Sequence, residues 1–183
     1  AIGYPAAVAC EPKDLRSAER IVLPGVGAFG DGMRNLREKG WIEVLEEEVR
    51  VREKPFLGIC LGMQLLAVTG TEHGTCRGLG WIEGLVERLN PPDPLFRIPH
   101  IGWNDVHFSK DGGLFAGLGK SAVFYFVHSY VLKPDDPSAV TGTCDHGEKF
   151  AASIESGNLF ATQFHPEKSQ QAGLRVLTNF IAV

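Results

Sequence analysis

The sequence predicts an α/β fold: a mainly parallel open sheet flanked by helices, with an antiparallel β extension. Three observations predict it. Short apolar runs alternate with helically patterned stretches up to residue 68. After Gly78-Leu79-Gly80 the pattern changes to closely spaced short strands. At the C-terminus helical spacing returns.

Residues 6–10 and 20–23 read as strands, separated by a polar helical stretch over 14–19. Leu23-Pro24-Gly25-Val26-Gly27-Ala28-Phe29-Gly30 is a glycine-rich loop leaving the second of these strands. Ile42, Leu45 and Val49 fall at helical spacing and predict a helix over 41–53, with Glu46-Glu47-Glu48 as its solvated face. The apolar run 55–59 is a short buried strand, and 63–68 the helix that follows it at once. Strands are expected at 85–89, 123–127, 139–143, 150–154 and 158–164, with proline-rich loops at 90–94 and 134–137. Leu174, Leu177 and Ile181 mark a last helix. Repeats and low-complexity segments are absent from the sequence, and the whole of 1–183 reads as one domain.

Composition narrows the function classes. A 183-residue chain with 44% hydrophobic residues can bury a core without disulfide or metal staples. A net charge of −4 disfavours general binding to nucleic acid or anionic membranes. The apolar runs fall short of the ~20 residues that span a bilayer, and the chain does not open on a secretory leader. Cys10, Cys60, Cys76 and Cys144 are widely spaced, which fits reduced cytoplasmic thiols better than disulfides or a metal site. His73, His107 and His146 lack a partner pattern and read as surface residues.

The chemistry is concentrated in two segments. Gly58-Ile59-Cys60-Leu61-Gly62 places one cysteine between two glycines where a strand gives way to a helix. That is the thiol counterpart of the strand–nucleophile–helix turn of hydrolases. Glycines are needed there because the turn leaves no room for Cβ atoms, and the helix N-terminus suits an anionic nucleophile. In His165-Pro166-Glu167, Pro166 biases His165 to extended backbone. Residues i and i+2 then share a face, so His165 can act as base with Glu167 orienting it. The 25–30 glycine loop can turn N–H groups inward, as an oxyanion hole requires.

These segments carry a resemblance. Pro24-Gly25-Val26-Gly27-Ala28-Phe29-Gly30-Asp31, Gly58 to Gln64, Pro99-His100-Ile101-Gly102-Trp103-Asn104, Tyr125-Phe126-Val127-His128-Ser129-Tyr130 and Gln163 to Gln170 stand in family order over nearly the whole chain. The chain resembles the class I, triad-type glutamine amidotransferases. Within them it is similar to the glutaminase subunits of imidazole glycerol phosphate synthase, from histidine biosynthesis.

The resemblance implies a Cys60–His165–Glu167 triad hydrolysing L-glutamine without metal or cofactor. It implies an oxyanion hole from Val26, Gly27 and Leu61, and glutamine contacts from Gly27, Gln64, Ser129 and Tyr130. It implies a (β/α)8 cyclase partner that receives the ammonia, faced by Pro99, Trp103, Asn104, Tyr125 and Lys168. Family members open with an apolar strand, a glycine-containing loop and a helix. Here Ala1-Ile2-Gly3-Tyr4-Pro5 resembles the end of that helix, so roughly thirty residues, a first strand and helix, are expected to be missing.

Three other readings are weighed. A glutaminase of pyridoxal phosphate, GMP or anthranilate synthesis would share the triad but not Pro24 to Gly30 together with Pro99 to Asn104. An esterase-type cysteine hydrolase would carry its acid before the histidine, whereas Glu167 follows His165. A truncated subunit that docks a partner without hydrolysing glutamine is the reading from a different class, and a glutaminase assay separates it.

Overall fold

The computed structural model describes residues 2–110 and 112–183. Its larger sheet has seven strands. β1 (Ile21–Gly25), β2 (Phe56–Cys60) and β11 (Leu159–Thr162) are parallel neighbours. β10 (Lys149–Ser156), β9 (Val140–Asp145), β6 (His100–Phe108) and β7 (Ser121–His128) continue the same sheet beyond β11 with antiparallel pairing. The parallel core and antiparallel extension are thus both present, and the extension is the larger part. A smaller sheet holds β4 (Cys76–Arg77), β3 (Ala67–Gly70), β5 (Ile82–Arg88) and β8 (Tyr130–Pro134), in that order.

β2 is flanked by strands on both sides and all five of its residues are buried. This is why it reads as a continuous apolar run rather than an alternation. One core cluster packs β2, α1 (Phe29–Glu38), α2 (Trp41–Leu45) and α3 (Leu61–Gln64) against the small sheet, around Phe29, Met33, Phe56 and Met63. The other lies under α4 (Gln170–Ile181) and the antiparallel strands, around Phe115, Phe124, Phe126 and Phe164. Phe124 and Phe164 stack with ring centroids 4.0 Å apart. Each such fully buried phenylalanine contributes about 1.5–3 kcal/mol.

Several expected elements differ. Residues 6–10 are irregular, and Val8 is 89% exposed; without a neighbouring strand among the described residues, an apolar run makes no ladder. The helix expected over 14–19 is a 3-10 turn, Pro12–Ser17, and that over 41–53 is α2 followed by a π turn, Glu46–Val51. Glu48 is not on a solvated face. It is 1% exposed and paired with Lys54 at 2.6 Å, because the π turn rotates it inward.

The helix expected over 63–68 stops at Gln64, and Ala67 and Val68 belong to β3. Both are apolar positions that either period accommodates. The last strand ends at Thr162 rather than 164. β6, at 9 residues the longest strand among the described residues, falls where the sequence predicts none. His146 is half-buried, stacked on His100 with centroids 4.1 Å apart.

Candidate active site

β1 and β2 run side by side with Gly25 level with Cys60, and both end there. β2 turns straight into α3, while β1 opens into the loop over 26–28 that leads to α1. The Cys60 backbone has φ 54° and ψ −107°, a conformation that L residues rarely adopt and that costs about 1–3 kcal/mol. Close packing holds it there. A Cβ on Gly58 would sit 2.6 Å from the Gly62 carbonyl oxygen, and one on Gly62 would fall on the Leu23 carbonyl oxygen.

The Cys60 sulfur is reached from three sides. The Gln163 side-chain amide donates to it at 3.6 Å, and the Val127 carbonyl lies 4.0 Å away. His165 is the third neighbour: its Nε2 is buried, does not complete a hydrogen bond of good geometry, and interacts with the sulfur. Nδ1 of the same ring lies 2.8 Å from Glu167 Oε1. The sulfur first, then the Glu167 hydrogen bond, outweigh burial and raise the imidazole pKa to about 9. Burial pushes the Glu167 carboxyl up, but hydrogen bonds from His165 and its own backbone, with the charges of His165 and Lys168, leave it below the usual range.

Glu167 reaches the ring by a different route from the one expected. Pro166–Lys168 is a 3-10 turn, so the contact is made across the turn and not by alternation along an extended chain. His165 itself is extended, with φ −99° and ψ 97°. Phe164 plugs the core, so Gln163 and His165 project from the opposite face toward Cys60. Ser169 fixes this segment: its hydroxyl donates to the His165 carbonyl at 2.6 Å and accepts the Tyr125 N–H at 3.0 Å.

Of the other expected residues, Leu61 is the first residue of α3, so its N–H has no acceptor within the helix. Val26 is 77% exposed, and Gly27 has φ 102° with open space around its Cα. Gln64 is buried, its Nε2 donating to the Tyr130 carbonyl at 2.9 Å and to Gln163 Oε1 at 3.1 Å. The Ser129 carbonyl is engaged by Leu89 N–H, and that of Tyr130 lies 3.0 Å from His128 Nδ1 as well.

Pro99 follows a cis peptide bond and immediately precedes β6. Trp103 and Tyr125 are paired across β6 and β7, and Lys168 Nζ sits 5.8 Å over the Tyr125 ring. Asn104 spends its amide internally on the Asp145 carbonyl at 2.8 Å. Among the described residues, groups of three or more His, Cys, Asp or Glu placed to hold a metal ion are absent. Helices long and apolar enough to cross a membrane are absent as well.

Two contributors escaped the sequence reading. Gln163 lies beside the sulfur although it is 103 residues away in sequence, and only its i−2 spacing from His165 hinted at a shared face. Glu72 accepts the Phe29 N–H at 2.8 Å, tethering the start of α1 just beyond the glycine loop. The assembly of thiol, imidazole, carboxylate and helix-start N–H is one that can transfer an acyl group through a thioester.

The family model for the class-I glutamine amidotransferases matches residues 5–183, and the chain belongs to that family. Among its relatives, it is 49% identical to imidazole glycerol phosphate synthase subunit HisH 1 of Campylobacter jejuni over 95% of this chain and 86% of the relative. The HisH subunit of Aquifex aeolicus is 48% identical over 98% and 86%. A solved glutamine amidotransferase superposes on 99% of the chain and 87% of its own, with TM-score 0.75 and 20% identity, which establishes likeness of fold. PurLQS of Thermotoga maritima gives TM-score 0.66 at 23% identity, over 90% of this chain and 79% of that one.

Proposed function

We propose that this chain is a cytoplasmic glutaminase subunit of imidazole glycerol phosphate synthase, working as one amidotransferase domain. It hydrolyses L-glutamine and passes the ammonia to a (β/α)8 cyclase. The observation that carries the reading is Cys60, held at positive φ, with His165 against its sulfur and Glu167 behind the ring. Relatives named as HisH subunits, nearly half identical over almost the full chain, support the pathway.

The Cys60 thiolate attacks the side-chain amide carbonyl of glutamine. His165, holding a proton beside the sulfur at neutral pH, gives it to the departing ammonia. The oxyanion takes hydrogen bonds from Leu61 N–H and from the Val26–Gly27 region, each such donor being worth about 3 kcal/mol of barrier. Water, deprotonated by His165, then cleaves the thioester to glutamate. Glu167 keeps the ring's orientation and stabilises its cationic form. Gly27, Gln64, Ser129 and Tyr130 surround the amino-acid end of the substrate. Pro99, Trp103, Asn104, Tyr125 and Lys168 face the cyclase, with the exposed Trp103 as an anchor.

The test is Cys60→Ala in the assembled complex. Glutamine-dependent synthesis should vanish while synthesis from added ammonia persists. Loss of both activities in a correctly assembled complex, or retention of both, overturns the proposal.

A further inference from the structure

We infer that Gln163 is a further catalytic residue: its side-chain N–H is a fixed donor to the Cys60 sulfur, holding the nucleophile in line and stabilising its anionic form. This rests on the reading of Cys60 as nucleophile. The amide is fully buried and lies 3.6 Å from the sulfur through Nε2. A terminal amide can flip, presenting either a donor or an acceptor. Here the flip is decided by the neighbours. Gln64 Nε2 meets the Tyr130 carbonyl at 2.9 Å, an acceptor that cannot donate, so Gln64 is oriented with its NH2 group toward that side. The same NH2 reaches Gln163 Oε1 at 3.1 Å, which turns the Gln163 NH2 to Cys60.

The result is a one-way chain of donors, from Gln64 through Gln163 to the sulfur, anchored on the Tyr130 carbonyl. Consecutive amide hydrogen bonds polarise one another in a buried setting. Gln163 is neutral at every pH, so unlike His165 it never exchanges its proton with the sulfur. His165 is thereby left free to carry the proton while Gln163 keeps the sulfur's position and charge. Phe164, stacked on Phe124, and the Ser169 hydroxyl bond hold the segment so that both side chains meet the same atom. The chain also links the nucleophile to Gln64 and Tyr130, residues proposed to surround the substrate.

The experiment is the pH profile of Cys60 alkylation by iodoacetamide, read on its own peptide by mass spectrometry so that Cys10 and Cys76 do not interfere. It uses the full chain with its cyclase partner. Gln163→Met, close in size and without a donor, should move the midpoint of the profile up by about one pH unit. Gln163→Glu, which replaces the donor with a like charge, should move it further. A residue with only a packing role would lower the melting temperature and leave the profile in place.

Profiles of both folded variants coinciding with the parent overturn the inference. If Gln163→Met does not fold, the Gln163→Glu profile decides alone. Cys60→Ala distinguishes the two levels: retained glutaminase activity there would sink the nucleophile reading itself. Full loss there with unmoved Gln163 profiles sinks only this inference.

Discussion

Two turns begin at the same level of the sheet, after Gly25 and after Cys60, and they are built in opposite ways. The cysteine turn is crowded: Gly58 and Gly62 each leave no room for a Cβ, and the surrounding residues are buried. The Val26–Gly27 loop is open, with Val26 77% exposed and space around Gly27. The proposed nucleophile is therefore preset by backbone packing, whereas the loop proposed to hold the second oxyanion donor consists of peptides that rotate at little steric cost. A rigid attacker beside an adjustable acceptor is an arrangement in which activity is set by the loop and identity by the turn. On the proposed function, a lone subunit is expected to turn over slowly until a loaded cyclase docks, since a hundredfold rise needs only about 2.7 kcal/mol; equally fast glutaminase turnover by the lone subunit and by the loaded complex would refute that expectation.

The comparison breaks most visibly at Gly62. Gly62→Ala drives a Cβ onto the Leu23 carbonyl, and should cost at least about 3 kcal/mol, lowering Tm by about 6–12 °C in a thermal melt. A variant that melts like the parent would show that the turn is not locked. Gly27→Ala should do the reverse. Only its positive φ is penalised, about 1–2 kcal/mol, while cyclase-stimulated glutaminase turnover falls about a hundredfold. Unchanged turnover would remove the loop from the chemistry.

The smallest effect is in the pH dependence of stability. His165 titrates near 9 in the fold, above its ordinary 6.5, so its contribution is complete below pH 6.5 and is lost as pH rises through about 9. Burial lowers His100 to about 4 and His128 to about 3. Their neutral forms belong to the fold, so that contribution is complete above pH 6.5 and lost as pH falls through 4 and 3. Urea midpoints measured against pH should show both limbs. In Cys60→Ala the His165 midpoint, followed by NMR, should drop from about 9 toward 6.5, leaving the acid limb unchanged. A midpoint that stays near 9 would mean that sulfur and imidazole are not coupled.

What the sequence disclosed was local. The cysteine turn is legible because its cause, two glycines flanking one nucleophile at a strand end, lies within five residues. β2 and β11 are legible because burial on both faces makes them almost continuously apolar. β6 was hidden because it is polar and largely exposed, with Asn104 half-buried and Asp105 exposed, while its buried His100 depends on a distant partner: His100 Nδ1 meets His128 Nε2 at 3.1 Å. The end of α3 was hidden because Leu65 to Val68 suit either period. Gln163 showed only through its i−2 spacing from His165, because its bonding partners lie 99 and 103 residues upstream.

The Ser169 hydroxyl has a mechanical meaning. Tyr125 N–H is bound to it, it is bound to the His165 carbonyl, and His165 N–H returns to the Tyr125 carbonyl at 2.9 Å. β7 and the imidazole-bearing turn are thus riveted at three points over a few ångströms. The same Tyr125 carries its ring beside Trp103 and under Lys168. A load applied to that aromatic pair has no slack to take up before it reaches the ring of His165. Tyr125 is the short arm of a lever whose other end is a proton.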